Sequence, residues 1–164
     1  MRATLLKSLL GIFILGITFT FNTQISEAGV LDGAKEFNGH YYKAFEFVLS
    51  RDQAQKFCVS MGGHLATAEN FNENAIIQEI VDAGAKEEYL IGGYKDKSGI
   101  WRWYTGGVIT DSNWQESYPS YGENMSMKKN YKGKWKTTYS WGDQNPYPFI
   151  CEWDDAKNAH DSTM

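Results

Sequence analysis

The densest group of chemically useful side chains lies in the stretch "NWQESYPSYGENMSM", which runs from Asn113 to Met127. Carboxylates and amides in one run are the oxygen ligands that a hard cation such as Ca²⁺ takes, six to eight at a time. Tyrosines beside a proline instead offer amphipathic rings to a ligand. The composition leaves three interpretations open: a metal site, a sugar site or an ordinary loop.

A second group is the run "KKNYKGKWK", residues 128–136, with five lysines in nine positions. Alternate lysines of this run share one face of a strand, and these are Lys132, Lys134 and Lys136. We expect Tyr131 and Trp135 to share the other face and to enter the core. A basic stripe on an acidic protein suggests an anionic glycan, a phosphate-bearing surface or an acidic protein patch as ligand. The alternative is a solvated strand face without a ligand.

Signatures of catalysis are weak. Ser126 and Lys129 match the Ser-x-x-Lys spacing of acylating enzymes, but the companion motifs and the helix start that those enzymes need are missing. Glu116 and Glu123 share one loop, with no visible means of setting the separation that a glycosidase pair requires. Of the three histidines, His64 precedes a core strand in "GGHLA" and is interpreted as structural. We therefore expect no enzyme activity.

The elements that must position these groups change in type near Gly84. Ser50 with Gln53 forms a capping box for a first helix that stops at Gly62-Gly63, and Asn70 can cap a second helix that ends at Gly84. Short apolar or aromatic runs bounded by turn residues predict strands: "HYYKAFEFV", "HLA", "EYLIGGY", "IWRWY", "GKWKTTY" and "PFICEW". This order predicts an α+β fold with a long irregular segment over residues 106–130.

The first residues have the charge and apolar run of an export signal, "MRATLLK" followed by "SLLGIFILGITFTF". The apolar core, Leu9 to Phe21, is shorter than the roughly 20 residues that span a bilayer. Ser26 and Ala28 have the small side chains that signal peptidase accepts three residues and one residue before the cut. We predict a signal peptide over residues 1–28 and no stable membrane insertion after its cleavage. An uncleaved membrane anchor is the alternative.

The rest of the 164-residue chain suffices for one domain with one hydrophobic core. The formal net charge of −4 argues against nucleic acid or anionic membranes as partners. In an oxidising compartment, Cys58 and Cys151 are expected to form a disulfide that ties the first helix to the last strand. Two unpaired buried thiols are the alternative. A cysteine metal site is not expected, because no histidine lies near either cysteine in the sequence.

These pieces, in this order, resemble the C-type lectin-like domain over residues 40–153. The resemblance is carried by "SRDQAQKFCVSMGGHLATAENFNENAIIQEIV", "YLIGGY", "WRWYTGG", "NW", "GKW" and "PFICEW". It implies an α+β fold with two helices, two small antiparallel sheets and a long loop region. It also implies that Cys58 and Cys151 form the outer disulfide of that domain. The segments "NGHYYKAF" and "GGHLATAEN" are more similar to bacterial members than to vertebrate receptors.

The resemblance also bears on whether the stretch from Asn113 to Met127 is a metal site. Members that bind sugar through calcium use a loop triplet with a central proline, a later glutamate and an Asn-Asp pair after a strand tryptophan. Here the triplet is Tyr118-Pro119-Ser120, the later acid is Glu123 and the pair is Lys136-Thr137. One carboxylate remains, so no calcium and no other cofactor is expected at the usual sugar site. Pro119 is cis in calcium-bound members, and without a metal either isomer is open here.

Lys136 falls at a position where calcium-binding members of the family have a coordinating Asn. Its ammonium is hypothesised to occupy the vacated cation position and to pair with Glu123; the alternative is a solvated lysine. The inner disulfide of the family is also missing, because its positions fall on Met125 and Ser140. Packing of the loop aromatics must replace that tie, or the loop is mobile.

We therefore expect a secreted, non-enzymatic recognition module that binds a glycan or an extracellular protein surface. The expected domain boundaries are a signal peptide at 1–28, a polar leader at 29–39, a C-type lectin-like domain at 40–153 and a polar, fraying tail at 154–164. The expected ligand-binding residues combine the loop and the lysine strand, and they are Tyr118, Pro119, Ser120, Tyr121, Glu123, Lys132, Lys134 and Lys136. A protein-protein adhesion or receptor-binding module is the alternative, and an enzyme on this scaffold comes after it.

Overall fold

The computed structural model describes residues 28–110, 113–116, 118–119, 121–138 and 146–160. The predicted signal peptide lies outside this part except for Ala28, and so do Ser120, Ser140 and Trp141. No helix in the described ranges combines the length and the apolar character needed to cross a bilayer.

Helices and strands follow one another in the predicted α+β order. The helices are α1 (Ala28–Leu31), α2 (Arg51–Ser60) and α3 (Phe71–Ala83), with a 3₁₀ turn at Ala156–Asn158. The strands are β1 (Lys35–Phe37), β2 (His40–Leu49), β3 (His64–Leu65), β4 (Glu88–Lys95), β5 (Trp101–Trp103), β6 (Asn124–Lys128), β7 (Trp135–Thr138) and β8 (Tyr147–Trp153).

The predicted caps start both long helices. The hydroxyl of Ser50 accepts a hydrogen bond from the backbone N–H of Gln53, and the Gln53 side chain accepts one from the backbone N–H of Ser50. Asn70 Oδ1 accepts from the backbone N–H groups of Asn72 and Glu73, each at 3.0 Å. Each cap satisfies donors that the first turn of a helix leaves without a partner.

The strands form one mixed sheet in the order β1-β2-β8-β4-β6-β7, with β3 paired to β8 and β5 paired to β4. The pairing of β4 with β8 is parallel, through Leu90 and Phe149, and the other pairings are antiparallel. The two small antiparallel sheets of the prediction are thus two parts of one sheet. Helix α2 packs in one core cluster with β3, β8 and Leu90 of β4, whereas α3 packs in the other with residues of β2, β4, β5, β6, β7 and β8.

The disulfide between Cys58 and Cys151 ties α2 to β8, as predicted. Both ends of the domain are more ordered than their polar sequences indicated. Val30 of α1 is buried, and its carbonyl accepts a hydrogen bond from Lys43 Nζ at 3.0 Å. Residues 154–160 pack back on the domain, with Ala159 buried, so the predicted fraying is wrong for them.

Strand β6 lies inside the segment that was predicted to be irregular, which therefore ends at Glu123 and not at Asn130. The sequence "NMSMK" does alternate polar and apolar residues, but the run is short and lacks the β-branched or aromatic side chains that are typical of strands. Both sides of β6 are covered, so its polar Ser126 is as fully buried as Met125 and Met127.

The prediction that alternate lysines share one strand face is also wrong. Strand β7 begins only at Trp135, and the preceding residues form a turn in which Asn130, Lys132 and Gly133 have φ values of 62°, 53° and 75°. Left-handed residues break the two-residue period, so the three alternate lysines do not share one strand face. The Tyr131 ring, expected in the core, lies beneath Lys128 and Lys136 Nζ at 5.5 and 5.8 Å.

Candidate functional site

Four tryptophans hold the base of the long loop. Trp114 packs on Trp101 and on Trp135, with ring centroids 4.7 and 5.7 Å apart, and Trp103 meets Trp135 edge to face at 5.3 Å. Backbone hydrogen bonds reinforce this contact, since Trp135 donates to Asn113 and accepts from Gln115. Rings of this size bury enough apolar area to fix a loop without a covalent tie.

Helix α3 holds the turn between β6 and β7 through two buried polar side chains. Asn74 Nδ2 donates to the Gly133 carbonyl at 2.9 Å, and Asn74 Oδ1 accepts from Trp135 Nε1 at 2.8 Å. Gln78 Oε1 accepts from the Gly133 N–H at 2.8 Å. Neither residue was predicted from the sequence, because the inner face of a helix is predicted from its apolar side chains. The signal was available: Asn74 and Gln78 are four residues apart, on the same face as Ile77 and Val81.

We call the described, solvent-accessible residues Tyr118, Pro119, Tyr121 and Glu123 the long-loop face. The Tyr118-Pro119 peptide bond is cis. Tyr121 is 74% exposed, and its carbonyl accepts from Thr137 Oγ1 at 2.6 Å. The carbonyl of Glu123 accepts from the Lys95 N–H at 2.9 Å and from Arg51 Nη1 at 3.5 Å. The backbone of this face is therefore fixed at its end, while the Tyr121 ring and the Glu123 carboxylate face solvent.

The donor set around this face does not fit calcium. Among the described residues of the family's ligand positions, only Glu123 offers a carboxylate. Thr137 Oγ1 donates its proton to the Tyr121 carbonyl, and the neighbouring Asn124 is buried. Ca²⁺ takes six to eight oxygens, several of them charged. One exposed carboxylate falls far short of that requirement.

Lys136 does not pair with Glu123, which corrects the hypothesis made from the sequence. Its Nζ lies 3.0 Å from Glu88 Oε2, and Ser126 Oγ donates to the other oxygen of the same carboxylate at 2.6 Å. Burial works against the charge on Lys136, but the hydrogen bond and attraction from Glu88 outweigh it, so the pKa of Lys136 is raised. Strand pairing explains this partner, because Ser126 of β6 pairs directly with Lys136 of β7 and lies diagonally from Glu88 of β4, two residues before its direct partner Leu90.

Lys134 lines a cavity of about 310 Å³ on the α3 side of the turn. Its other lining residues are Ala68, Asn70, Phe71, Asn74, Asn113 and Trp135. Phe71 is 84% exposed at the rim. Lys132 lies exposed in the same turn. This end of the hairpin therefore combines positive charge with an accessible aromatic ring.

The predicted ligand-binding residues thus fall into two groups. Tyr121 and Glu123 lie beside the carboxyl end of β7, where the Tyr121 carbonyl meets Thr137. Lys132 and Lys134 lie at the turn that precedes β7, and the four-residue strand separates the two ends by roughly 13 Å. Lys136 is committed to Glu88, and Ser120 is outside the described residues.

The model of the Lectin C-type domain family matches residues 48–153, which is well over half of the chain. The chain belongs to the C-type lectin domain family. The α+β fold predicted from the resemblance is confirmed by this match and by the solved structures that share it.

Relatives and solved structures include both protein binders and lectins. A snaclec coagulation factor IX-binding protein of Protobothrops flavoviridis is 28% identical over 128 residues, covering 73% of this chain and 96% of the relative. The structure titled "SPL-1 - GlcNAc complex" is 26% identical, with a TM-score of 0.68 and coverage of 78% and 97%. "Ca2+-independent C-type lectin SPL-2 from Saxidomus purpuratus" is 27% identical, with a TM-score of 0.67 and coverage of 79% and 96%.

These relatives are lectins or binding proteins by name. The organisms named, Protobothrops flavoviridis and Saxidomus purpuratus, are animals, so they give no support to the bacterial resemblance. The family match does not extend to the first residues of the predicted domain, and the boundaries at 29–39, 40–153 and 154–164 stay predictions.

Proposed function

We propose that this protein is an exported carbohydrate-recognition module that binds its glycan through the long-loop face without calcium. The observation that carries the proposal is the donor set of that face: its described residues offer one exposed carboxylate and accessible tyrosine rings, in place of the oxygen cage that calcium requires. The similarity to a GlcNAc-bound lectin and to a calcium-independent lectin supports it.

The chemistry of the face suits a sugar that is recognised directly. The apolar faces of Tyr118 and Tyr121 can stack on the C–H surface of a pyranose ring, and the Glu123 carboxylate can accept hydrogen bonds from two hydroxyls. Direct contacts of this kind depend on shape and hydrogen bonding and need no shared metal ion. The module acts by binding and has no catalytic step.

Lys132 and Lys134 extend the proposed surface toward the turn, where they favour an anionic residue of a longer glycan. Lys136 has a supporting role in the proposed surface, because its ammonium pairs with Glu88 and lies over the Tyr131 ring. The span of roughly 13 Å along β7 exceeds one sugar unit, so the full surface fits an oligosaccharide with a neutral unit at Tyr121 and an acidic unit near Lys134.

Export rests on the amino-terminal signal and on the disulfide, which requires an oxidising compartment. After cleavage, the protein is proposed to act in the extracellular space, or in the periplasm if its source is a Gram-negative bacterium. No cofactor is part of the proposal.

A glycan array probed with wild-type protein and three variants tests this function. Tyr121→Ala removes the most exposed ring of the face, and Lys134→Ala removes charge at the turn. Lys56→Ala, an exposed lysine on α2, is the matched control. We expect Tyr121→Ala to lose the neutral unit, Lys134→Ala to lose preference for acidic glycans and Lys56→Ala to bind as wild type. Equal binding by all variants would overturn the assignment of this face.

A protein-binding module is the second candidate, and the similarity to a coagulation factor IX-binding protein favours it. The long-loop face would then contact a protein surface through the same tyrosines, because aromatic side chains are enriched in protein interfaces. An array that stays blank, together with a partner captured from extracellular fluid by wild type and not by Tyr121→Ala, would establish this candidate in place of the first.

A further inference from the structure

Two histidines and two carboxylates meet on one face of the sheet, away from the long-loop face. Strand β8 pairs with β2 on one side, through Glu152 and Tyr42, and with β3 on the other, through Glu152 and His64. Directly paired residues share a face, and so do residues two apart on one strand. His40 and Asp154 therefore join His64 and Glu152. We call these four residues the two-histidine cluster.

Three ligand atoms of this cluster lie close enough together for one ion, and the fourth, His64 Nε2, contacts that group through Asp154. His40 Nδ1 lies 2.8 Å from Glu152 Oε1 and 3.6 Å from Asp154 Oδ1, and His64 Nε2 lies 3.2 Å from the same Asp154 oxygen. The ligand atoms of His40, Glu152 and Asp154 all lie within 4.8 Å of one another. Ligands about 2.0–2.1 Å from a tetrahedral zinc ion are roughly 3.3 Å apart, so the three shorter separations bracket that value.

The contacts of the His64 ring orient its Nε2 atom toward the Asp154 carboxylate. His64 Nδ1 lies 2.9 Å from the carbonyl of Leu65, and a carbonyl can only accept. The tautomer of His64 that donates from Nδ1 to this carbonyl presents its Nε2 lone pair toward the Asp154 carboxylate. The 3.2 Å contact between Nε2 and Asp154 Oδ1 has the length of a hydrogen bond, and the same two atoms can share a metal ion in place of a proton. Metal-bound histidines are oriented by the same kind of backbone contact.

Glu152 is held in place before any ion binds. Its Oε2 accepts from the N–H of Thr67 at 2.7 Å and from Thr67 Oγ1 at 3.0 Å, and its Oε1 accepts from the Tyr42 hydroxyl at 3.1 Å. The Glu152 side chain is 2% exposed, whereas Asp154 is 57% exposed. The cluster thus has a rigid buried ligand at its base and a solvent-facing side through which a hydrated ion can enter.

We propose that the two-histidine cluster binds a divalent transition-metal ion of the zinc class, with His40, His64, Asp154 and Glu152 as ligands. His40 binds as the tautomer with its proton on Nε2, and its Nδ1 exchanges the Glu152 contact for the ion. Two imidazoles with two carboxylates select zinc-class ions, while calcium demands more oxygens. The thiols cannot compete, because both cysteines of the chain form the disulfide.

Calorimetric titration of untagged protein with ZnCl₂, together with the visible spectrum of the Co²⁺ form, tests the proposal. We expect one zinc ion per chain and the intense visible bands of four-coordinate cobalt. Asp154→Asn keeps the size of an exposed side chain and should weaken zinc binding by at least about tenfold, and His64→Ala should abolish the cobalt bands. A circular dichroism spectrum confirms that each variant is folded.

His160→Ala is the matched control, because this third histidine lies outside the cluster and its Nδ1 contacts the Asn158 carbonyl. It should bind zinc as wild type does. Zinc uptake no greater than the buffer blank would overturn the proposal, and so would equal losses in His160→Ala and His64→Ala. Displacement of zinc by equimolar CaCl₂ would equally contradict it, since it would show a site built from oxygen alone.

Discussion

The surroundings of Glu152 and those of the long loop differ in whether every buried polar atom has a hydrogen-bond partner. Around Glu152, a buried carboxylate accepts hydrogen bonds from Tyr42, Thr67 and His40, and the disulfide lies next to it in β8. Near the long loop, three buried side-chain atoms have no hydrogen-bond partner within the described residues, and these are Trp101 Nε1, Asn124 Oδ1 and Thr138 Oγ1. Asn124 and Thr138 are direct neighbours across β6 and β7.

This contrast distinguishes two parts of the domain. We call Glu152, its hydrogen-bond partners and the disulfide the frame, and the other part carries the long-loop face proposed for recognition. An unpaired buried polar atom costs free energy, about 1–3 kcal/mol, whereas a satisfied network makes the local structure unique. The long-loop end retains polar groups that are not optimised for stability, as binding sites commonly do.

Removal of the disulfide should be the largest single loss of stability and should act on the frame. The bond closes 93 residues of sequence, and loop-closure entropy values such a constraint at about 4–5 kcal/mol as an upper figure. We expect the double variant Cys58→Ala/Cys151→Ala to lower the free energy of unfolding by up to that amount in urea titrations. A loss below about 1 kcal/mol would show that the hydrogen bonds around Glu152 hold this end without the covalent tie.

Glu152→Ala should be the next largest change. It leaves the buried Thr67 N–H and Tyr42 hydroxyl without an acceptor, and we expect a loss of about 3 kcal/mol, measured in metal-free buffer. Glu123→Ala is the matched acidic control on the long-loop face, where the carboxylate is exposed, and it should change stability by no more than about 0.5 kcal/mol. Similar losses for the two variants would erase the proposed difference between the ends.

A matched pair of threonines sharpens the comparison further. Thr67 and Thr138 are both buried, but in the described part of the chain only the Thr67 hydroxyl has a partner, namely Glu152 Oε2. Replacement by valine keeps the shape and removes the hydroxyl. We expect Thr67→Val to destabilise the protein by about 1–2 kcal/mol and Thr138→Val to be neutral or stabilising, both by thermal denaturation. The opposite order would contradict the account of the two ends.

The smallest expected effect concerns alkaline pH. Burial, with a further contribution from Glu46, raises the pKa of Tyr89 from 10.0 to about 12, and its hydroxyl donates to Glu46 Oε1 at 2.8 Å. The folded state thus favours the neutral phenol, so this stabilisation is present below pH 10 and is lost as the pH rises through about 12.

Tyr89→Phe should cost about 1 kcal/mol at neutral pH and should make the fall in stability between pH 10 and 12 less steep, followed by urea midpoints. Tyr121→Phe, at an exposed tyrosine of the long-loop face, should leave the profile of the wild type unchanged. A Tyr89→Phe profile that falls as steeply as that of the wild type would assign the alkaline transition to other groups.

Sequence reasoning predicted the frame better than the recognition surface, for physical reasons. Helix caps at Ser50 and Asn70 are local signals, and both are confirmed. The partner of Lys136 was wrong because it depends on cross-strand register, which brings Glu88 closer than Glu123. Strand β6 and the turn at Lys132 depend on two-sided burial and on left-handed backbone, neither of which the residue pattern reveals.

The positions of the predicted ligand-binding residues required the fold for the same reason. Tyr121 and Glu123 are separated from the lysines in sequence by strand β6, and only the direction of β7 decides that they lie at its opposite end. The two-histidine cluster was equally hidden, since its members come from three strands that pair over long sequence distances. His64, interpreted as structural from its neighbours, belongs to that cluster.

The most direct test of the account is the affinity of the array-selected glycan, measured by calorimetry in matched buffers with CaCl₂ and with a calcium chelator. We predict the same dissociation constant in both, because the proposed contacts come from tyrosine rings, the Glu123 carboxylate and the lysines of the turn, and none of them needs a metal ion. An affinity more than about tenfold higher with calcium would contradict the account, since it would place a calcium ion between that carboxylate and the sugar.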